Sequence, residues 1–197
     1  MGFVGRNYAD TIEYSKTTTH REFLKITLNN PPTSKVLVIM KNPSTTCDNN
    51  YLPVGSYKIT TYLEKAKCHI DRTTGKVLRK LNQIYDEIMI INLYSLYDSN
   101  TQNVNNYYYG FGCNSATLLY SNNNYISSFL NKYSGDIICA WGGNGGINKT
   151  DYDKQVDFVT KCFNPNHNLI QYDSSTQTFV PFNPSLHQYP LHGLVWK

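Results

Sequence analysis

Three continuous apolar runs, each followed at once by a turn signal, constrain the fold of this chain more than any other feature. The runs are Val36–Met40, Ile88–Asn92 and Ile137–Trp141. Because their apolar residues do not alternate with polar ones, each run is typical of a strand buried on both faces, as in a parallel sheet. Residues 77–84 repeat apolar side chains at helical spacing. Strands that alternate with helices predict an α/β fold of three layers, α/β/α, with a central, mostly parallel sheet.

Weaker patterns indicate the remaining organisation. A chain of 197 residues is about the size of one domain, so we expect residues 1–197 to form a single domain around one core. Residues 98–114 show no clear period and are interpreted as a long loop, which in a compact domain is usually functional or mobile. The other predicted elements are a strand or hairpin at 23–28, helices at 59–67, 116–133 and 152–162, and a fourth strand at 169–172.

The charge of the chain permits contact with nucleic acid without demanding it. A formal net charge of +4 and a pI near 8.7 are modest, since dedicated nucleic-acid binders usually concentrate basic residues on one face. The densest group of basic residues lies between positions 65 and 80 and comprises Lys65, Lys67, Arg72, Lys76, Arg79 and Lys80. This group is interpreted either as the solvated face of a helix or as a DNA contact.

Metal, cofactor and membrane signals are missing from the sequence. Its five cysteines show neither a CxxC pair nor the Cys–His spacing of zinc sites, so no metal and no cofactor is expected. The glycine turn 142–146 lacks the GxGxxG spacing of a dinucleotide site. The sequence has no signal segment and no run of roughly 20 apolar residues, the length that spans a bilayer. We therefore expect a cytoplasmic protein with reduced thiols and no membrane contact.

Four segments, taken in order, carry a resemblance to a known superfamily. Asn42-Pro43-Ser44-Thr45 follows the first run, Asn92 ends the second, Trp141-Gly142 ends the third, and Tyr189-Pro190-Leu191 lies near the C-terminus. This order resembles the uracil-DNA glycosylase superfamily. It is most similar to an uncharacterised branch whose members read Asn-Pro-Ser-Thr in the first motif and His-Pro-Leu in the last. The resemblance extends from about Arg21 to Trp196 and implies a uracil-DNA-glycosylase-like fold.

The resemblance also implies a role for each segment in a pocket that receives a flipped-out base. Asn42 would position the attacking water, with Pro43 shaping the turn, and Asn92 would read one pyrimidine edge with its acceptor and two donors. Trp141 would line the pocket or simply support the Trp-Gly turn. Apart from the resemblance, Asn42 is equally typical of an Asn-Pro turn and Asn92 of a strand-end cap.

The sequence departs from the superfamily pattern at two of these positions. Tyr189 stands where active members carry a His that donates a hydrogen bond to the departing base, and Ser44 stands where enzymes strict for uracil carry a gating Tyr. His187 or His192 could serve as a donor in place of Tyr189. Pro190 and Leu191 complete the predicted base pocket, and either Leu191 or Leu194 is a candidate for the side chain that wedges into the duplex.

Two functions therefore remain open. The first is a pseudo uracil-DNA glycosylase that lacks uracil excision and acts by binding. Its partner would be DNA, bound weakly and without sequence specificity, or a protein of the kind that inhibits glycosylases by docking on their DNA-binding face. The second is an active DNA glycosylase that hydrolyses the N-glycosidic bond of a modified base, or, on the same scaffold, a hydrolase of small nucleotides.

Overall fold

The computed structural model describes residues 8–16, 21–29, 31–41, 55–62, 72–94, 124, 126–186 and 189–196. Its strands are β1 Tyr8–Lys16, β2 Arg21–Thr27, β3 Lys35–Met40, β4 Gly55–Tyr62, β5 Glu87–Asn92, β6 Asp136–Cys139, β7 Asn168–Asp173 and β8 Thr178–Pro181. Its helices are α1 Arg72–Leu81 and α2 Lys149–Lys161, and residues 126–130 are also helical. Single 3-10 turns lie at Pro184–Leu186 and Gly193–Val195.

The strands form one eight-stranded sheet in the order β4-β1-β2-β5-β3-β6-β7-β8. Its centre is parallel: β3 pairs with both β5 and β6, and β6 pairs with β7. The three apolar runs are therefore confirmed as adjacent parallel strands, and the fourth predicted strand is confirmed as β7. The other four pairings, at the two sides of this centre, are antiparallel. The sheet is thus mixed, whereas the sequence predicted a mostly parallel one.

The structure corrects several predicted boundaries. The helix predicted at 59–67 is wrong at its start, because Gly55–Tyr62 is strand β4, paired with β1. The β-branched and aromatic residues of this segment favour a strand. Strand β8 was not predicted, and β6 ends at Cys139 rather than at Trp141. The loop predicted at 98–114 and half of the helix predicted at 116–133 lie outside the described residues, and within the described half residues 124 and 126–130 are helical.

Both faces of the central strands are covered, which explains why their apolar residues do not alternate with polar ones. On the first face, Val36, Val38 and Met40 pack in one apolar core with residues of α1. On the second face, Leu37 and Ile39 pack in another core with residues of α2 and of the helical segment 126–130. Successive residues of a strand point to opposite faces, so a strand that is covered on both faces must be apolar throughout.

Buried Asp86 fixes the register at the start of the parallel centre. Its carboxylate accepts hydrogen bonds from the Thr33 amide at 2.9 Å, the Thr33 hydroxyl at 2.5 Å and the Ser34 amide at 3.2 Å. The Asp86 amide in turn donates to the Ser34 carbonyl at 2.9 Å. These bonds tie the turn before β3 to the residue before β5, and Lys35 consequently pairs with Glu87.

Candidate functional site

The order of the parallel strands selects one edge of the sheet for a ligand. In chain order the four parallel strands are β3, β5, β6 and β7, and their order in the sheet is β5-β3-β6-β7. The chain leaves β3 toward one side of the sheet and later returns to its other side, so the switch point lies between β3 and β6. In open α/β sheets, ligands bind outside the carboxyl ends of the strands at such a point. Lys41 follows β3 there, and Trp141 and Gly142 follow β6.

The turn after β6 holds the C-terminal segment at this edge. Trp141 is fully buried and packs edge-on against Phe182, with 5.7 Å between ring centroids. Gly142 has a φ of +68°, a conformation that favours glycine, and its amide donates to the Pro190 carbonyl at 2.8 Å. A Cβ atom on Gly142 would lie 3.1 Å from the Cβ of His192. The close approach of the two segments therefore requires glycine at this position.

Tyr152, in the first turn of α2, supports the same turn from inside the second core. Its hydroxyl donates to the Gly142 carbonyl at 2.7 Å and lies 3.2 Å from the Trp141 carbonyl. Burial raises the pKa of this hydroxyl, which therefore stays protonated at neutral pH. The Tyr152 ring stacks on Tyr94 at 6.3 Å and packs against Tyr189 at 5.8 Å. Three tyrosine rings thus form a row toward the surface.

Lys41 lies beside this row. Its side chain is only 8% exposed, and its Nζ lies 5.8 Å from the centroid of the Tyr152 ring, which is within the range of a cation–π contact. Burial lowers the pKa of the Lys41 ammonium, because desolvation penalises the charged form. Within the described stretches no carboxylate forms an ion pair with Lys41. Its carbonyl accepts from the Tyr94 amide at 2.9 Å, which fixes the backbone after β3.

The outer end of the tyrosine row is polar and charged. Tyr189, 39% exposed, donates its hydroxyl hydrogen to one carboxylate oxygen of Asp153. Lys149 binds the other oxygen at 2.5 Å and lies 3.3 Å from the Tyr189 hydroxyl. The bond to Asp153 is the main cause that raises the pKa of both Tyr189 and Lys149. A cavity of about 360 Å³ opens beside this cluster and is lined by Lys149, Asp153, Val156, Asp157 and Tyr189.

The structure brings some of the predicted site residues together and separates others. Pro190 is bound to the turn after β6 by the Gly142 amide, next to Trp141, and Tyr189 packs against Tyr152, whose hydroxyl binds the same turn. Leu191 is 36% exposed, and its carbonyl accepts from the Trp196 indole at 3.3 Å. Asn92 is buried at the carboxyl end of β5, paired with Met40.

Asn92 reaches the same edge of the sheet as Tyr189 but not the same face. Ile88 and Ile90 belong to the first core, so strand alternation places Asn92 on the α1 side. Tyr189 packs against α2, on the other side. The remaining predicted site residues, Asn42, Pro43, Ser44 and His187, lie outside the described part of the chain.

Sequence reasoning missed the residues that surround Tyr189. Lys41, Lys149, Tyr152 and Asp153 were not predicted as site residues. One signal was available for Lys41, because a lysine that directly follows a buried strand and precedes an Asn-Pro turn stands where open sheets bind ligands. Lys149 and Asp153 sit one helical turn apart, but their contact with Tyr189 joins segments 36 and 40 residues apart and has no local signal.

Across the described segments, no group of three His, Cys, Asp or Glu side chains is arranged to hold a metal ion. No helix in these segments has the length and apolar character needed to cross a membrane.

The chain belongs to a family whose function is unknown. The family model described as "Protein of unknown function (DUF1643)" matches residues 64–184, more than half of the chain, so the protein is a member of the DUF1643 family. The match includes Asn92, Trp141 and Tyr152, whereas Asn42, Lys41 and Tyr189 lie outside it. No curated protein and no solved structure matches the chain significantly.

Proposed function

We propose that this DUF1643 protein is a uracil-DNA-glycosylase-like protein that binds DNA at the carboxyl edge of its parallel strands and does not excise uracil. The observation that carries the proposal is the state of Tyr189. This residue stands where the resembled enzymes carry their leaving-group histidine, and its hydroxyl donates to Asp153. The position of the site, at the switch point between β3 and β6, supports a ligand-binding role.

The contact between Tyr189 and Asp153 argues against base excision. A base leaves most easily when a preorganised donor stabilises the negative charge that builds on its carbonyl. A phenol has one hydrogen to donate, and Asp153 accepts it. Losing one such donor costs about 10²–10³ in rate, or roughly 3 kcal/mol.

The same features suit weak binding of single-stranded or flipped-out DNA. Bases stack on exposed aromatic rings whatever their sequence, and Tyr189 is the exposed end of the tyrosine row. Lys149 is mostly exposed beside it, and a phosphate near Tyr189 would share this lysine with Asp153, which binds it at 2.5 Å. Because the net charge is only +4, we expect affinity that is low, independent of sequence and strongly dependent on salt.

The decisive experiment combines excision and binding measurements. Single- and double-stranded oligonucleotides that carry uracil or other modified bases are incubated with the protein and then cleaved with alkali. We expect no uracil release by the wild type and measurable release by Tyr189→His, which reinstates the donor. Robust wild-type excision that Asn42→Ala abolishes would contradict the proposal and favour the active glycosylase.

Fluorescence anisotropy with a labelled single strand tests the binding arm. Tyr189→Ala should weaken binding, because it removes the exposed ring. Ile84→Ala is the matched control, since Ile84 is 53% exposed and precedes β5, at the amino edge of the sheet. Equal losses in both variants, or affinity unchanged between low and high salt, would refute binding at this site.

A further inference from the structure

Lys41 is a cation that the proposed function leaves unused. It is 8% exposed, lies over the Tyr152 ring and has no carboxylate partner in the described stretches. Removing most of a lysine side chain from water is costly for its charged form unless an anion compensates the charge, and one aromatic face returns only part of that cost. Buried cations that lack an anion within the protein are therefore candidates to bind one from outside.

The surroundings of Lys41 add positive potential. Tyr152, over which Lys41 lies, is in the first turn of α2, and the N-terminal end of a helix of 13 residues carries a partial positive charge. The side chain of Asn148 already caps the amides of Thr150 and Asp151, at 3.0 and 3.3 Å. The contact with an anion must therefore come mainly from the lysine.

The carboxylates at the start of α2 do not cancel this potential. Asp153 is bound by Lys149 at 2.5 Å, and Asp151 lies 3.7 Å from the ammonium of Lys154. Lys149 is also 5.8 Å from the Tyr189 ring, so a second cation lies at the outer end of the same tyrosine row.

We propose that Lys41 is the main contact of a phosphate-binding site at the switch point between β3 and β6. The position at the end of a parallel strand is where open sheets bind phosphorylated ligands. A lysine ammonium acts as a point charge and suits phosphate, which demands no planar two-point contact. The phosphate belongs to a free nucleotide or to the DNA backbone. Only the DNA source rests on the proposed function above.

Calorimetric titration with three probes separates these sources. The probes are thymidine, thymidine monophosphate and a short single-stranded oligothymidylate. The variants are Lys41→Met and Lys41→Gln, which remove the charge by different side chains, and Lys41→Arg, which keeps it. Lys80→Met is the matched control, because the Lys80 ammonium lies 5.1 Å from the Tyr172 ring on the other face of the sheet. Circular dichroism confirms that each variant is folded.

We expect the wild type to bind thymidine monophosphate more tightly than thymidine. The two neutral variants should lose about tenfold in affinity for the phosphorylated probes, roughly 1.4 kcal/mol, and should bind thymidine like the wild type. Lys41→Arg should retain more affinity than Lys41→Met, and Lys80→Met should retain all of it. Neutral variants that bind the phosphorylated probes as the wild type does, or a wild type with no preference for phosphate, would overturn the site.

The probes also separate this proposal from the proposed function. If thymidine monophosphate responds to Lys41→Met but the oligothymidylate does not bind, the phosphate site stands and DNA binding fails. If the oligothymidylate binds equally well to the wild type and to Lys41→Met, DNA binding stands and the phosphate site fails.

Discussion

Removing one hydroxyl group from Tyr152 tests the hydrogen bond that holds the turn after β6. Tyr152→Phe keeps the ring, and with it the packing against Tyr94, Tyr189 and Lys41. What it removes is the donor 2.7 Å from the Gly142 carbonyl. The Trp141 carbonyl, 3.2 Å away, loses the same neighbour.

The expected loss follows from the burial of these groups. A neutral hydrogen bond contributes about 1 kcal/mol net, and a buried acceptor left without a donor adds to the loss. We therefore expect Tyr152→Phe to lower the free energy of unfolding by about 1.5 kcal/mol. For a domain of this size that corresponds to a fall in Tm of about 3–6 °C.

Tyr133→Phe is the matched control for this measurement. The Tyr133 hydroxyl is also buried, but within the described segments it has no hydrogen-bond partner. Its removal should leave stability unchanged or slightly increased, because a polar group that was desolvated without compensation is lost. Urea unfolding and thermal melting measure both variants. The reasoning is refuted if Tyr152→Phe is as stable as the wild type, or if both variants lose the same amount.

Three further changes probe the frame of the site. Asp86→Ala should lower the unfolding free energy by about 3 kcal/mol in urea, because three hydrogen bonds to a buried carboxylate are lost, and a loss under about 1 kcal/mol would contradict this. Gly142→Ala should cost about 1–2 kcal/mol in thermal melts, since its φ is +68°, whereas Gly143→Ala, with open space around it, should cost almost nothing. Equal losses of stability in Gly142→Ala and Gly143→Ala would be evidence against the close approach of Gly142 to His192. Lys41→Met should raise the free energy of unfolding of the ligand-free protein, because it removes a charge that is costly to bury. This gain should shrink as the pH rises toward 10.5. The reason is that burial lowers the pKa of Lys41, so the wild-type lysine loses its proton at lower pH in the folded than in the unfolded state. A gain independent of pH would show that the buried charge is not its cause.

The centre of the fold was predictable because its signal is local. Each of the three apolar runs overlaps the strand it predicted, because burial on both faces demands apolar residues without alternation. Strand β4 was mistaken for the start of a helix, although Tyr57, Ile59 and Thr61 alternate with more polar positions. Its identity as a strand depends on the pairing with β1, and no local pattern shows that β1 reaches it. Strands β1 and β8 were missed for the same reason, whereas β2 falls on the strand or hairpin predicted at 23–28.

The site was less predictable, because its chemistry depends on contacts between distant segments. The motif at the end of the chain identified Tyr189 by its position, but a position does not show where a hydroxyl hydrogen points. That is decided by Asp153, which lies 36 residues earlier. Lys41 is a similar case. In the sequence it is a charged residue after a strand, whereas in the fold it is 8% exposed and lies beside the Tyr152 ring.

The contact of Tyr189 with Asp153 lies at the outer, exposed side of this site, and the contact of Lys41 with Tyr152 lies at its inner, buried side. The two sides therefore have different chemistry. At the outer side, Asp153 neutralises Lys149 and accepts the hydrogen of the Tyr189 hydroxyl, which then has no second hydrogen to donate. At the inner side, Lys41 keeps a positive charge that nothing in the described stretches compensates. Binding of an anion requires only the charge of Lys41, whereas excision requires a hydrogen-bond donor at the position where Asp153 accepts the hydrogen of Tyr189. Under the proposed function, this arrangement suits a protein that holds a phosphorylated ligand better than one that breaks its glycosidic bond.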